Sequence, residues 1–509
     1  MTTAFTNGRI LTMDPHHPNP NVVVIDGDRI AAVGERALLN SYPHATTIDL
    51  GGRTLTPGFI DAHHHLCQAA LRPAWGDCSG ATKDAVLEAL RAHARAEPDV
   101  HWLRGHQWNG PDITRHDLDT IADDRPIVLA HYSFHQCAVN SAALDLLGIG
   151  RSTPDPQGGE IVRDNNGAPT GVLIERAWSW AHAKSMEAYE DPDRWDDYVV
   201  EYGHRLHEDG ITAVHDAACH PAAEAMYRRL ETAGRLPVGV LVMPHSQAIL
   251  MNDIGDRLHG PKTGEGSEQL RVGPVKFFAD GGVAIALDVT IDGHRLQYGT
   301  LMADLEAKMT EAIAHGFRVG VHAMGNAGVQ ATIDAFRAAA SAHPDDDHRF
   351  RIEHAGLADA RQCHELASLG GVAVVQPNFV NHVGENSMGA RFGDVHWLPF
   401  RSLSDAGVPL AASSDHPCAP YPPLWGAQRG ALRTTLSGMS FEPEEALPLE
   451  DWLYAFTAGA AYAGGQEHER GRLAPGLRAD LVVLDGDLDP TNPPSVAQTW
   501  VGGTRVYGA

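Results

Sequence analysis

Two histidines one residue apart close the segment Thr56-Pro57-Gly58-Phe59-Ile60-Asp61-Ala62-His63-His64-His65. Side chains alternate between the faces of a strand, so His63 and His65 share one face and His64 takes the other. Two imidazoles on one face at a strand end are half of a metal site. The chain holds 30 histidines, so the pair alone would also fit surface or capping residues. Four further candidate ligands follow in order, each in or near the end of an apolar, strand-like run. Lys276 lies in Pro274-Val275-Lys276-Phe277-Phe278, and His322 ends Arg318-Val319-Gly320-Val321-His322. His354 ends Phe350-Arg351-Ile352-Glu353-His354, and Asp415 follows Leu410-Ala411-Ala412-Ser413-Ser414.

A lysine inside an apolar strand is costly to bury while charged. Pairing with Asp280 would relieve that cost. Alternatively, a lowered pKa leaves the amine neutral and reactive. Such an amine takes up carbon dioxide and becomes an anionic carbamate able to bridge two metal ions. His63, His65, His322, His354, Lys276 and Asp415 would together make a binuclear centre. Asp415 taken alone reads as a helix N-cap. Taken with the other ligands it reads as a proton shuttle, accepting a proton from metal-activated water and passing it to a leaving nitrogen.

These residues need a scaffold that brings strand ends together. Short apolar runs alternate with helical patterns through the middle of the chain. The runs include Pro126–Ala130, Ala213–His215, Val238–Val242, Val275–Phe278, Arg318–His322, Arg351–His354, Val372–Gln376 and Pro409–Ser413; helical patterns include Ala303–His315, Val329–Ser341 and Ala358–Leu369. With the strand near residue 58 this gives roughly nine β-units, where a (β/α)8 barrel needs eight. The alternation predicts a parallel sheet with helical crossovers, a TIM-like α/β barrel with its active site at the C-terminal strand ends.

Both chain ends are β-rich. Phe5–Met13 and Asn21–Val33 flank a Pro/His-rich turn, Asp26-Gly27-Asp28 signals a hairpin, and Thr46–Leu55 reads as a strand pair around Gly51-Gly52. Ala479–Asp485 and Trp500–Tyr507 read the same way. The expected division is a small composite β-sandwich domain from residues 1–55 and 466–509, with a barrel over 56–465. Insertions at about 67–125 and 150–200 exceed ordinary barrel loops and hold Trp75, Trp102, Trp108, Trp178, Trp180 and Trp195. Such insertions form lids or pockets, or their tryptophans pack them onto the barrel.

At 509 residues with 43% hydrophobic content, one large barrel plus a smaller unit is the natural size class. The net charge of −26 disfavours nucleic acid and anionic membranes as partners. Six scattered cysteines without a C-x-x-C suggest a reduced, cytoplasmic protein. The N-terminus shows no signal peptide pattern, and no run is long enough to span a bilayer.

The ordered motifs resemble those of the amidohydrolase superfamily, in the branch of N-substituted formamide deformylase-like metal-dependent hydrolases. Beyond residues 57–65 the likeness is carried by Gly158–Asp164, Pro169–Leu173, Gly210–Asp216, Val321–Gly325, Arg351–Ala355, Ser414-Asp415 and the tail Gly471–Leu484. The resemblance implies a TIM-like barrel with a composite β-domain, zinc, and hydrolysis at carbon–nitrogen bonds. It also places His135, read as a second-strand histidine, near substrate. Trp108 and Asn378 are the other candidate substrate contacts. The pocket walls depart from the branch. Asp280-Gly281-Gly282 is not followed by the usual Arg-Thr-Ala, Gln376-Pro377 precedes Asn378 rather than histidine, Asn326 replaces an acid, and His416-Pro417-Cys418 follow Asp415.

The reading is a hydrolase of amides, with N-substituted formamides or related compounds as candidates, acting on a small molecule bearing an apolar or aromatic group. The alternative is a mononuclear zinc deaminase or cyclic amidohydrolase. Superfamily deaminases commonly carry a glutamate three residues after the fifth-strand histidine, where Gly325 stands. A barrel without catalysis would be expected to have lost ligands. Cys67 or Cys137 as the bridging ligand is a further alternative. A homodimer is compatible with the fold, but no residue pattern calls for one.

Overall fold

The computed structural model describes all residues except 110–111, 247–248, 303, 345–346, 387–391 and 509, and the side chains of 382 and 386. Its centre is a TIM-barrel-like α/β fold in two parallel arcs. One arc contains β1 (Phe59–His64), β2 (Ile211–Cys219), β3 (Gly239–Pro244) and β4 (Leu270–Val272), in the order β4-β3-β2-β1. The other runs β5 (Val275–Phe278), β6 (Val319–Ala323), β7 (Arg351–His354), β8 (Val372–Val375) and β9 (Leu410–Ala412), in sequence order. Only Gly273-Pro274 separate β4 from β5, so the arcs supply eight strand positions. At the other seam, Asp415 N–H donates to His63 O (2.8 Å) and His65 N–H to His416 O (2.9 Å). Every pairing in both arcs is parallel, because helices such as Pro221–Thr232, Leu305–Ala314, Asn326–Ala342 and Ala360–Ser368 carry the chain back between strands. These helices match the sequence patterns, although Ala303, the expected start of one, lies outside the described residues.

Seven of these nine strands are buried at every residue, with Arg271 in β4 and Leu410 in β9 half-buried, as a sheet covered on both faces requires. Because all strands run the same way, their C-terminal ends bring His63, Lys276, His322, His354 and Asp415 to one mouth.

Two expectations are corrected. The run at Pro126–Ala130 forms a strand, Ile127–His131, but not a barrel strand. It belongs to a six-stranded sheet with Gly76–Asp77, Leu103–Trp108, Gln136–Val139, Gly159–Arg163 and Pro169–Glu175. The two expected insertions are therefore one continuous unit between β1 and β2. An apolar run bounded by turns does not carry the identity of its sheet. Thr46–Leu55 is not a strand pair either. Thr46–Asp49 pairs with Thr2–Thr6, whereas Thr54–Pro57 pairs with Arg9–Ile10 and Leu481–Asp485 in another sheet. Local turn signals around Gly51-Gly52 mark a reversal, but partners from the far C-terminus win the pairing.

The N-terminal residues form a four-stranded sheet of their own, and Arg9–Ile10 and Thr54–Pro57 join three C-terminal strands in a five-stranded one. Phe5, Ile25, Leu55, Leu481 and Trp500 share one core between them, with Phe5 and Trp500 edge-on at 5.3 Å. Val22–Asp26 and Arg29–Gly34 pair antiparallel around Gly27, whose φ of 59° suits a tight hairpin. No helix among the described residues is long and apolar enough to cross a membrane.

The helix Pro192–Glu208, which leads into β2, ends on Asp209. Burial and the neighbouring Glu208 raise its carboxyl from 3.8 to about 6, and the helix C-terminus also disfavours an anion. A raised folded-state value stabilises the fold below pH 3.8, and this contribution is lost as pH rises through 6. Asp209→Asn is therefore expected to raise the melting temperature at pH 8 and to leave it unchanged at pH 4. Equal shifts at both pH values would contradict this.

Candidate metal centre

His63 lies in β1 and His65 just beyond it, facing the barrel mouth with Asp415 from the loop after β9. One ligand atom from each of the three lies within 4.8 Å of the others. Asp415 Oδ1 is 3.1 Å from His65 Nε2 and 3.4 Å from His63 Nε2. Lys276 Nζ, buried on β5, is 3.2 Å from His63 Nε2. The His354 ring lies 4.9 Å from His63 and 4.6 Å from His322, centre to centre. All six sequence-predicted ligands thus meet at one mouth.

Each histidine has one nitrogen engaged by an oxygen, which fixes its tautomer. His63 Nδ1 donates to Glu353 Oε2 (2.6 Å), His65 Nδ1 to Ala217 O (2.9 Å) and His354 Nδ1 to Gln376 Oε1 (2.8 Å). Their Nε2 lone pairs are left for the centre. His322 is held the other way, with Nε2 3.3 Å from Gly281 O, so Nδ1 carries its lone pair. Protonation would destroy this donor set, and burial opposes it. Burial, and then the Lys276 charge, push His63 well below its ordinary value. Burial and then His354 do the same to His322, and burial brings His354 to about 4. Burial brings Lys276 down to about 8. Burial alone would raise Asp415, but the neighbouring His63 and His65 rings hold it well below the carboxylate range.

The supporting residues are less visible in the sequence. Arg351 and Glu353 alternate with Ile352 on β7 and meet inside the barrel. Arg351 Nη2 donates to Glu353 Oε2 at 3.0 Å, its Nε donates to Glu353 Oε1, and Nη1 is 2.8 Å from His215 Nδ1. Asp61, also on β1, accepts Ser414 N–H (2.9 Å) and Ser414 Oγ–H, and sits 2.9 Å from His64 Nδ1. This network fixes the loop that carries Asp415, which itself has a φ of 57°. Charged residues two apart in an apolar strand were the available signal for Arg351 and Glu353.

A cavity of about 320 Å³ opens beside the ligands. His135, His322, His354 and Asp415 line it on one side, and Phe379, Val383, Trp397, Ile285 and Met324 supply apolar wall. Phe379 stacks on the His354 ring, 5° from parallel. His135 reaches this cavity from the turn before Gln136–Val139 in the insertion, so its expected place on a second barrel strand is corrected. Its Nδ1 is 2.6 Å from Glu175 Oε2. Burial lowers its pKa, but the Glu175 carboxylate more than offsets this and leaves it raised. Glu175 Oε1 accepts Val283 N–H (2.8 Å) and Ala284 N–H (2.9 Å), tying the insertion to the loop after β5. A Cβ at Gly282 would sit 2.4 Å from the His135 ring, which accounts for glycine there.

Trp108 is not brought to the centre. It is buried in the insertion core with Leu103, Ile127 and Leu129. Asn378 lies beneath the site and donates to Ser414 O (2.8 Å) and Pro420 O (2.9 Å), so it buttresses the Asp415 loop. None of the six insertion tryptophans lines the metal-ligand cavity; Trp397 does. Cys137 is buried in the insertion sheet, and Cys67 is buried near Asp216 with its thiol pushed up. Cys418, named from the sequence only as a departure after Asp415, lines the cavity.

The model of the amidohydrolase family matches residues 46–507. An N-substituted formamide deformylase of Arthrobacter pascens is 35% identical, over 94% of this chain and 93% of that protein. Two solved uncharacterised metal-dependent hydrolases share the fold. The one from Pyrococcus horikoshii has a TM-score of 0.76 at 22% identity, covering 96% of this chain and 98% of the other. The one from Pyrococcus furiosus has a TM-score of 0.72 at 24% identity, covering 96% and 100%.

Proposed function

The chain belongs to the amidohydrolase family and is a hydrolase of non-peptide carbon–nitrogen bonds; from that premise we propose that it cleaves amides with an apolar or aromatic substituent, N-substituted formamides among them. The observation that carries this reading is the convergence of His63, His65 and Asp415 ligand atoms within 4.8 Å, beside the buried Lys276 and an apolar-walled cavity.

The donor set fits a metal. Three imidazoles direct Nε2 lone pairs to the centre, a fourth offers Nδ1, and Asp415 adds an anionic oxygen. Lys276 Nζ, 3.2 Å from His63 Nε2, places the chain's own cation among these donors. As a neutral amine it adds carbon dioxide, forming a nitrogen–carbon bond and releasing a proton, which exchanges a cation for a bridging anion. We assign two zinc ions to His63, His65, His322, His354, Asp415 and carboxylated Lys276. A bound zinc supplies Lewis acidity, polarising a carbonyl and bringing the acidity of water towards neutrality. Asp415 then accepts a proton at a carboxylate oxygen and returns it to the departing amine nitrogen. His135, oriented through Nδ1 by Glu175, presents Nε2 as a donor to substrate. Phe379, Val383 and Trp397 exclude water and take the apolar substituent.

A deaminase of the usual pattern needs a glutamate at residue 325. A Cβ there would lie 1.9 Å from Ala286 O, so the backbone leaves no room for one. Residues 1–55 and 466–509 are assigned to a β-sandwich domain and 56–465 to the barrel with its insertion. The cysteines are free thiols, which suits a reducing cytoplasm.

An array of N-alkyl and N-aryl formamides and acetamides, assayed for released amine before and after chelation, tests the reading. Amine release that stops on chelation and returns with zinc is the expected result. Amide turnover indifferent to chelation would contradict it. So would ammonia release from aminated heterocycles with no amide turned over.

A further inference from the structure

A second chamber of about 600 Å³ lies outside the metal-ligand cavity and shares Tyr132 and Cys418 with it. Arg72 lines this chamber with Gln107, His416 and Tyr421. Its guanidinium has no ion pair and no side-chain hydrogen bond among the described residues, and its Nε is buried without a partner. Burial lowers its pKa, while Asp77 acts on it only through space and is occupied by Ser79 N–H at 3.1 Å. A partly desolvated guanidinium without an anion is unfavourable. It is also a fork shaped for a carboxylate.

Other polar groups of the chamber wall have partners of their own. His416 Nδ1 donates to Ala419 O (2.8 Å), and Gln107 Nε2 to Pro417 O (3.3 Å). Burial, and then the Asp209 and Glu208 charges, push the Tyr421 hydroxyl up to about 12, so it keeps its proton. Glu385, the carboxylate in the chamber wall, is held by Ser437 N–H (3.1 Å) and Oγ–H (3.0 Å). The chain as a whole carries a net charge of −26, which opposes anions, so Arg72 is the group in this chamber that would hold one.

We propose that the outer chamber is a carboxylate subsite, in which Arg72 binds an anionic group at the end of the substrate remote from the scissile bond. This rests on the amide-hydrolase reading and narrows it. The substrates are two-part amides, with an apolar segment against Phe379 and Trp397 and a carboxylate tail in the outer chamber.

The test titrates the metal-loaded protein calorimetrically with phenylalkanoates of graded chain length and the matching alcohols. At the best-fitting length the acid is expected to bind about tenfold or more tightly than the alcohol. That ratio is expected to fall to about one in Arg72→Gln and to be partly kept in Arg72→Lys, which also guards against a variant that fails to fold. Equal binding of acid and alcohol to the wild type overturns the subsite. So does an acid preference that survives in Arg72→Gln, because the carboxylate is then held at the metal centre. Kinetics on amide pairs differing only in a tail carboxylate or carboxamide test the underlying reading separately. Should no amide be turned over, that reading fails and the titration still decides the subsite.

Discussion

Asp415→Asn lowers kcat about a thousandfold, within the range for removing a general acid–base group, with its metal still bound. Asparagine keeps the shape and an oxygen facing His63 and His65, but it cannot take up and return a proton. Backbone bonds hold the position independently of the carboxylate: Asp415 N–H to His63 O at 2.8 Å and Cys418 N–H to Asp415 O at 2.9 Å. The loop is further pinned through Ser414 to Asp61 and through Asn378. Turnover and metal content are measured on the same sample. An asparagine variant with full metal and wild-type kcat would remove Asp415 from the proton path.

The second large effect concerns the charges inside the barrel. Arg351 and Glu353 are 1% and 0% exposed, so neither can recruit water if the other is lost. Arg351→Leu is expected to cost about 3–5 kcal/mol in urea unfolding of the metal-free protein, because it leaves Glu353 buried and uncompensated. Glu353→Gln is milder for the fold but weakens the acceptor that orients His63 through Nδ1. Its metal affinity is expected to fall about 10- to 100-fold, measured by competition with a chromogenic chelator. A loss below about 0.5 kcal/mol for Arg351→Leu, the ordinary scatter of surface changes, would mean that the pair contributes little to the barrel. Unchanged metal affinity in Glu353→Gln would mean that His63 is oriented by other contacts.

The meeting of the candidate ligands was legible because a parallel barrel turns one-dimensional order into one place. Every candidate lay in or near the end of an apolar run, and all such runs finish at the same face. The 2.0-residue period of β1 correctly separated His63 and His65 from His64, which points instead at Asp61 and Tyr202. The period says nothing about which sheet a run joins, so Ile127–His131 was placed in the barrel when it belongs to the insertion. That misplacement hid the insertion's unity, and with it the Glu175 carboxylate that holds His135. The tryptophans misled for a related reason. Large aromatics pack a core at least as readily as they line a pocket. Trp102, Trp178 and Trp195 are almost wholly buried in the main core, whereas the pocket uses Trp397 from beyond β8. Arg72 gave no sequence signal, since an unpaired guanidinium is recognised only from what fails to surround it.

Metal content per chain is the most direct test of the centre, read by elemental mass spectrometry on wild type and Lys276→Ala purified without added metal or chelator. About two zinc equivalents in the wild type, lost together in Lys276→Ala, is the expected result for a carbamate-bridged pair held by His63, His65, His322, His354 and Asp415. A wild type without stoichiometric metal, or a single equivalent that survives Lys276→Ala, would contradict it.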